Sequence, residues 1–415
     1  MTLLSEASFL VTPNGYKASK LYAAIPTNGN GDMTVTRATT ATRVDENDLV
    51  SSVASNVPRI DYTGGGCPSI LLEPQRTNSI RNSTMQGANV STNTFPNFWY
   101  AGGNGLTAQL VGLGVENGLN YIDVNYNGVA VQASVQFSFD TNTVTNAIVG
   151  QTWSLSVYMK TISATLPPNS YRIQINEFSS AGSYLTGNQL VISPTTEIQR
   201  FSQTRTNTSA TCAFVQSYYY FPLTIGNSYN FTIRIYAPQL ELGAYATSYI
   251  PTTTATVTRN ADVLSRDNIY TNNLIVGGGG TWFVHLINNT ALIRDIFYYS
   301  VFLGTGSTGD ASANALTFTF GGSTAARATI RKKVSSVEAT LYSTTTDTAK
   351  ILFKWNGASA DVFVNGAKVV SATLFNTTAM EHLGASGNDT IKYIKQMALF
   401  ARPLTDAQCI ALTTL

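Results

Sequence analysis

His285 and His382 are the two imidazoles of the chain, so acid–base or metal chemistry would have to be built around them or around carboxylates. Neither stands in a spacing that such chemistry uses. His285 lies in an alternating run, "TWFVHLI" at 281–287, His382 sits beside Leu383 near a turn, and no HExxH pair occurs. There is no Gly-x-Ser-x-Gly elbow, and "GTGSTG" at 304–309 and "GGGG" at 277–280 lack the Lys-Ser/Thr of a phosphate-binding loop. A glycosidase needs two carboxylates facing one cleft, whereas Asp295, Glu338, Asp347, Asp361 and Glu381 are scattered singly. "GASGNDT" at 384–390 offers loop oxygens of the kind calcium sites use, and it reads as a solvated turn. The chain is therefore expected not to be an enzyme, with no catalytic residue, metal or cofactor.

Aromatic residues carry the stronger signal. A sugar stacks its apolar face on an exposed ring while side-chain amides bond its hydroxyls, and Trp and Tyr combine an apolar body with a polar tip. "QSYYYF" at 216–221 puts Tyr218 and Tyr220 on one face of a strand and Tyr219 and Phe221 on the other. "FWYAGG" at 98–103 is similar. Trp99, Tyr100, Tyr218 and Tyr220 are the candidate glycan contacts, with core packing or an intersubunit contact as the competing use.

Strands must position these rings. "VQASVQFSF" (131–139), "WSLSVYM" (153–159), "YRIQINEF" (171–178), "YNFTIRIYA" (229–237), "TWFVHLI" (281–287), "ALTFTF" (315–320) and "DVFVNG" (361–366) all alternate apolar with polar residues. Asn-Gly at 356–357 and 365–366, Gly102-Gly103 and Pro167-Pro168-Asn169 mark turns. Trp153 and Trp355 fall on the apolar sides of their strands and are expected in the core. Helical periodicity is confined to "LTDAQCIALTTL" at 404–415, where Thr405 can cap and Leu404, Cys409, Ile410 and Leu412 form an apolar face. The expected fold class is all-β: two consecutive β-sandwich (jelly-roll) domains preceded by a largely irregular/β N-terminal attachment segment.

Composition narrows the function further. Charged residues are 12% of the chain, while 19 Phe, 21 Tyr and 4 Trp supply ample core. The net charge of +2 leaves no electrostatic footprint for nucleic acid. No apolar run reaches the roughly 18–20 residues of a membrane span, and Met-Thr-Leu-Leu-Ser-Glu is not a signal peptide. Cys67, Cys212 and Cys409 cannot frame a disulfide scaffold, which points to reduced thiols and synthesis in a cytoplasm. The low charge also suits a protein with extensive subunit contacts, whose cores are depleted in charge. Segment boundaries are expected at 1–78, 79–256 and 257–415, with "VGGGG" at 276–280 as a hinge or tight loop.

"LLEPQRTNSIRNS" at 71–83 resembles the opening motif of the jelly-roll, carbohydrate-binding-module-like domains of bacteriophage tail and head-fibre proteins. Trp99 follows at that family's spacing, and "TWSLSVYMK" at 152–160 resembles the central strand. "EIQRFSQTRT" at 197–206 resembles another, with Ile198 where those domains usually place Trp. "IRIYAPQLELGAYATSYIPT" at 233–252 resembles the closing strand and is the strongest match. The stretch at 16–50 resembles a leader found before this motif. "KILFKWNGASADVFVNGAKV" at 350–369 and "IKYIKQMALFARPLTDAQCIALT" at 391–413 are similar to concanavalin A-like, laminin-G-type sandwiches. The resemblance implies a non-enzymatic virion protein, a head or tail fibre or spike component, made in the host cytoplasm; a dedicated carbohydrate-binding adhesin for host recognition is the alternative, and a polysaccharide-degrading enzyme ranks last. It implies a homo-oligomer, a trimer being favoured, docked through 1–78 on capsid, portal or tail proteins, with host-surface glycans as further partners. Glu73 and Arg76 would pair, or bond backbone groups, where the leader joins the first jelly roll.

Overall fold

Alternation becomes strands throughout the computed structural model, which describes residues 3–141, 144–162, 171–287, 301–307, 312–320, 328–344, 348–375, 380–386 and 392–415. The turn at Pro167-Pro168-Asn169, Asp295, Asp347, and parts of "GTGSTG" and "GASGNDT" lie outside the described residues. The chain is all-β apart from one short 3-10 helix and one α-helix among the described residues.

The chain divides at other points than the expected 78 and 256. Residues 76–259 form one compact unit, and 1–75 fold together with 260–415 as a second. The first 78 residues are thus no separate irregular segment, and 257–415 is not a complete sandwich. Strand Phe9–Lys17 pairs antiparallel with Lys392–Phe400, and Ser69–Leu72 pairs with the same C-terminal strand.

In the 76–259 unit, two antiparallel sheets enclose the core. One runs in the order Leu106–Glu116, Leu119–Val129, Ser228–Leu242, Thr152–Thr161, Gln199–Thr206. The other runs Tyr184–Ile192, Tyr171–Phe178, Phe214–Pro222, Ser134–Ser138, Tyr100–Ala101, with Thr145–Asn146 also on Phe214–Pro222. The apolar positions of both meet between them: Ile122, Val124, Tyr126, Phe137, Leu155, Val157, Ile173, Ile175, Tyr219, Phe221, Phe231 and Ile233 are buried together. Trp153 is buried there as its strand parity requires.

The second part of the motif at 71–83, from Arg76 on, closes this unit. Arg76–Asn78 pairs with Val257–Arg259, so the strands that begin and end the unit lie side by side. Asn78 is fully buried; its amide donates to the Ile250 carbonyl (2.9 Å) and accepts from the Ile80 and Leu240 amides. Ser83 and Thr252 bond each other's backbone (2.8 and 2.9 Å). Buried side-chain amides and hydroxyls survive in a core only with such partners.

Glu73 does not pair with Arg76. It accepts from Arg59 Nη1 (2.6 Å), and Arg59 also pairs with Asp262, which accepts in turn from Arg37 Nη1 (2.8 Å). All four side chains are almost completely buried, within the unit that contains 1–75. Arg76 belongs to the other unit, where its guanidinium lies 5.1 Å from the Tyr245 ring centroid. The partner of Glu73 is thus Arg59 rather than Arg76, the two expected partners falling in different units.

In the 1–75/260–415 unit, Gly279–Ile287 lies between Lys392–Phe400 and Thr348–Asn356. Trp282 stacks on Phe318 (4.7 Å between centroids) and Phe353 (5.9 Å), and Trp355 is buried in the same cluster. The tight loop expected at "VGGGG" is Gly277-Gly278, a turn between Val276 and Gly279; Gly279 and Gly280 begin the strand, and a Cβ on Gly280 would lie 2.3 Å from the Trp355 ring. Helix Asp406–Thr413 follows, with Thr405 and Gln408 forming a capping box. Leu404 and Cys409 are buried beneath it, whereas Ile410, expected on the apolar face, is exposed.

Candidate functional site

The outer side of the six-stranded sheet gathers three of the four candidate rings. Strand register sets Tyr100 opposite Ser138, Ser138 opposite Tyr218, Tyr218 opposite Gln174, and Gln174 opposite Gln189. This is one continuous row across five strands, roughly 19 Å at about 4.8 Å per strand. A second row runs Gln136, Tyr220, Arg172, Val191. Tyr100 is 69% exposed, Gln136 and Gln189 are exposed, and Tyr218, Tyr220, Arg172 and Gln174 are half-buried.

Hydrogen bonds hold this face flat. The Tyr218 hydroxyl donates to Gln216 Oε1, and Gln216 Nε2 donates to Ser138 Oγ (2.8 Å). Gln174 Nε2 donates to Asn176 Oδ1 (2.6 Å), beside Gly187, where a Cβ would come within 2.0 Å of that same oxygen. Arg172 Nη1 donates to Gln189 Oε1 (2.7 Å), and its guanidinium lies 5.7 Å from the Tyr220 centroid. Burial pushes the Tyr218 phenol up, so it stays neutral. The result is a shallow aromatic floor edged with amide groups, which can stack a pyranose ring and bond its hydroxyls.

Trp99 does not belong to it. The indole is buried between the sheets, 5.6 Å from the Phe137 centroid and 5.2 Å from Phe139, and Nε1 donates to the Asn82 carbonyl (2.8 Å). With its ring and its N–H both occupied, it serves packing. Gln136, Arg172, Gln174 and Gln189 were not picked out from the sequence. The available signal was that the polar half of "VQASVQFSF" and "YRIQINEF" is rich in amides.

One carboxylate stands beside this face among the described residues: Asp140, two residues past Ser138, whose charge is taken by Arg81. Glu177 is the acidic residue of the six strands, and it points between the sheets to pair with Arg205. Elsewhere, Glu116 and Asp123 converge on Arg234, at 2.7 and 2.6 Å, on the outer side of the five-stranded sheet. Burial disfavours the Glu116 charge, but hydrogen bonds from Lys160, Tyr236 and Arg234 outweigh it and hold its pKa at about 2. An acid held ionised in this way cannot supply the proton of glycoside cleavage. Glu338 pairs with Arg331, Asp361 with Lys354 and Lys368, and Glu381 accepts from the Thr271 hydroxyl (2.6 Å).

His285 is pulled down to about 4 by burial and by Lys350 and Lys395, and His382 Nδ1 lies 2.7 Å from Asp267 Oδ1. Burial pushes the thiols of Cys212 and Cys409 up to about 11 and about 12. Among the described residues, no cluster of three His, Cys, Asp or Glu could hold a metal ion. No helix among them is long and apolar enough to cross a membrane.

No family model and no curated protein matches the chain. Among solved structures it is similar to one described as "CBM4 structure and function", at 19% identity and TM-score 0.27, over 40% of this chain and all of that one. It is also similar to domain 4 of AbnA, an extracellular arabinanase of Geobacillus stearothermophilus, bound to arabinotriose: 12% identity, TM-score 0.29, 41% of this chain and 84% of that one. A mutant Trypanosoma rangeli sialidase matches at 9% identity and TM-score 0.30, over 92% and 77%. Likenesses of this distance carry no argument about function.

Proposed function

We propose that the chain is a non-enzymatic glycan-binding protein that holds carbohydrate on the outer side of its six-stranded sheet. One observation carries this reading: Tyr100, Tyr218 and Tyr220 share that side with Gln136, Gln174 and Gln189, and none of its strands adds a carboxylate. The setting we propose is a phage virion, as part of a head or tail fibre or spike. The resemblance at 71–83 and 233–252 supports it. Within it, a homotrimer and docking through the first 78 residues remain part of the same proposal, now with those residues acting from inside a folded unit.

A glycan array with the full chain and its Tyr218→Ala and Gln174→Ala variants tests the binding. The wild type should bind, and both variants should lose at least tenfold while melting close to the wild type. Equal binding by all three sinks the face as the site. Release of new reducing ends from a bound polysaccharide would overturn the non-enzymatic part. Antibody labelling of virions in electron micrographs tests the setting, and label found only in the unassembled fraction would refute it.

A further inference from the structure

Resting on the glycan-binding face just described, we infer that its ligand is an acidic, carboxylate-bearing glycan, with Arg172 as the group that selects it. Most basic side chains of the same unit that lie in its strands are tied to partners within the chain. Arg81 pairs with Asp140 (2.5 Å), Arg205 with Glu177, Arg234 with Glu116 and Asp123, and Lys160 with Glu116 (2.6 Å). Arg200 lies on the other sheet and donates to Ser156 Oγ and the Thr247 carbonyl. Arg172 stands on the aromatic-amide face, and no carboxylate among the described residues pairs with it. The residues that precede this strand in sequence, Ser-Ala-Thr-Leu-Pro-Pro-Asn-Ser at 163–170, contain no acid either.

The setting of this arginine suits recognition of an anion. Gln189 takes one donor of Nη1 and, with the Tyr220 ring, fixes the plane of the guanidinium. The remaining donors at the end of the fork can meet the two oxygens of a carboxylate, a pairing whose planar geometry Lys cannot reproduce. Arg172 is two strands from Gln136 and one from Tyr220, so a sugar lying over Tyr220 would bring a ring substituent within its reach. Asp140 beside the face is offset by Arg81, so Arg172 leaves the local charge positive and favours an anionic polymer over a neutral one.

Binding of the full chain to polygalacturonate, alginate and hyaluronan tests this, each beside its carboxyl-reduced counterpart. At least one native polymer should bind about tenfold or more tighter than its reduced form, since a charge-assisted hydrogen bond is lost. Arg172→Gln should abolish that preference, Arg172→Lys should restore only part of it, and added salt should weaken the native polymer alone. Neutral polymers bound in a way that Tyr218→Ala abolishes and Arg172→Gln leaves unchanged would overturn the acidic ligand and keep the face. Failure to bind either set would overturn both.

Discussion

Both sheets of the 76–259 unit carry a row of tyrosines on their outer side, and only one row is open. On the five-stranded sheet, Gly114, Tyr121, Tyr236, Tyr158 and Arg200 stand in register. Arg234 lies 3.6 Å from the Tyr121 centroid, and Glu116 accepts from Arg234, Lys160 and the Tyr236 hydroxyl (2.6 Å). Tyr236 is completely buried beneath this cover. Arg234, Lys160, Glu116 and Asp123 match one another there, and Arg200 at the end of the row is tied to Ser156 and the Thr247 carbonyl, so the row braces five strands and offers little to a ligand. On the six-stranded sheet the aromatic content is similar, but amides and one arginine point outward without a carboxylate to close them. Rings alone do not make a glycan site; unsatisfied polar groups beside them do.

The sharpest way to break this comparison is to remove a ring from the core that both rows share. Trp153→Ala should cost about 3–5 kcal/mol by lost contacts and the cavity left behind, and thermal unfolding of the full chain should show the 76–259 transition shifted alone. A loss of glycan binding without a change in melting would put Trp153 in the site. Next in size is Arg234→Ala, which strands Asp123 on the closed face and leaves Glu116 to Lys160 and Tyr236. We expect about 2–3 kcal/mol, below the range for a fully buried pair because these side chains keep some solvent, with glycan affinity unchanged. Affinity falling with Arg234→Ala would mean that the closed face is the site.

Acid should separate the two faces as well. Glu116 is held at about 2 in the fold against an ordinary 4.5, so its contribution is present above pH 4.5 and is lost as pH falls from there towards 2. Melting of the unit between pH 5 and 2 should fall less steeply in Arg234→Ala. A wild-type melting temperature independent of pH in this window contradicts the assignment. The six strands of the open face carry no His or Cys, so affinity for a neutral glycan should be flat between pH 5 and 9. The smallest effect is on stability at Gln136→Ala: within about 0.5 kcal/mol, as for exposed sites generally, while affinity drops. A large stability loss would place Gln136 in the fold's framework.

How much of this was legible in the chain depends on range. Parity within one strand is local, so the alternating runs, the helix cap at Thr405, and the opposed directions of Tyr218 and Tyr219 could be read directly. The first 78 residues were misread because most of their strands are only three or four residues long, such as Met33–Thr36 and Arg59–Asp61, too short for a period to register. Their membership of the C-terminal unit rests on distant pairings, such as Arg37 with Asp262, that no local pattern announces. The site was half visible for the same reason. Tyr218 and Tyr220 were seen, but Gln174 and Gln136 join them through strand order, which composition does not encode. Trp99 was misassigned because three consecutive aromatics hide which one turns inward.

The placement of 76–259 between two parts of one sheet has a consequence for synthesis on the ribosome. Its own first and last strands pair with each other, so this unit can fold as soon as residue 259 has emerged. Phe9–Lys17, made long before, has to wait for Lys392–Phe400 to take up its place beside it. At about 5–20 residues per second this delay is some tens of seconds. For that time the earliest apolar strands are exposed while a finished domain follows them out. A nascent chain halted before residue 392 would therefore carry one native domain and an N-terminal stretch without its partner. Chaperones would meet the protein first at its beginning.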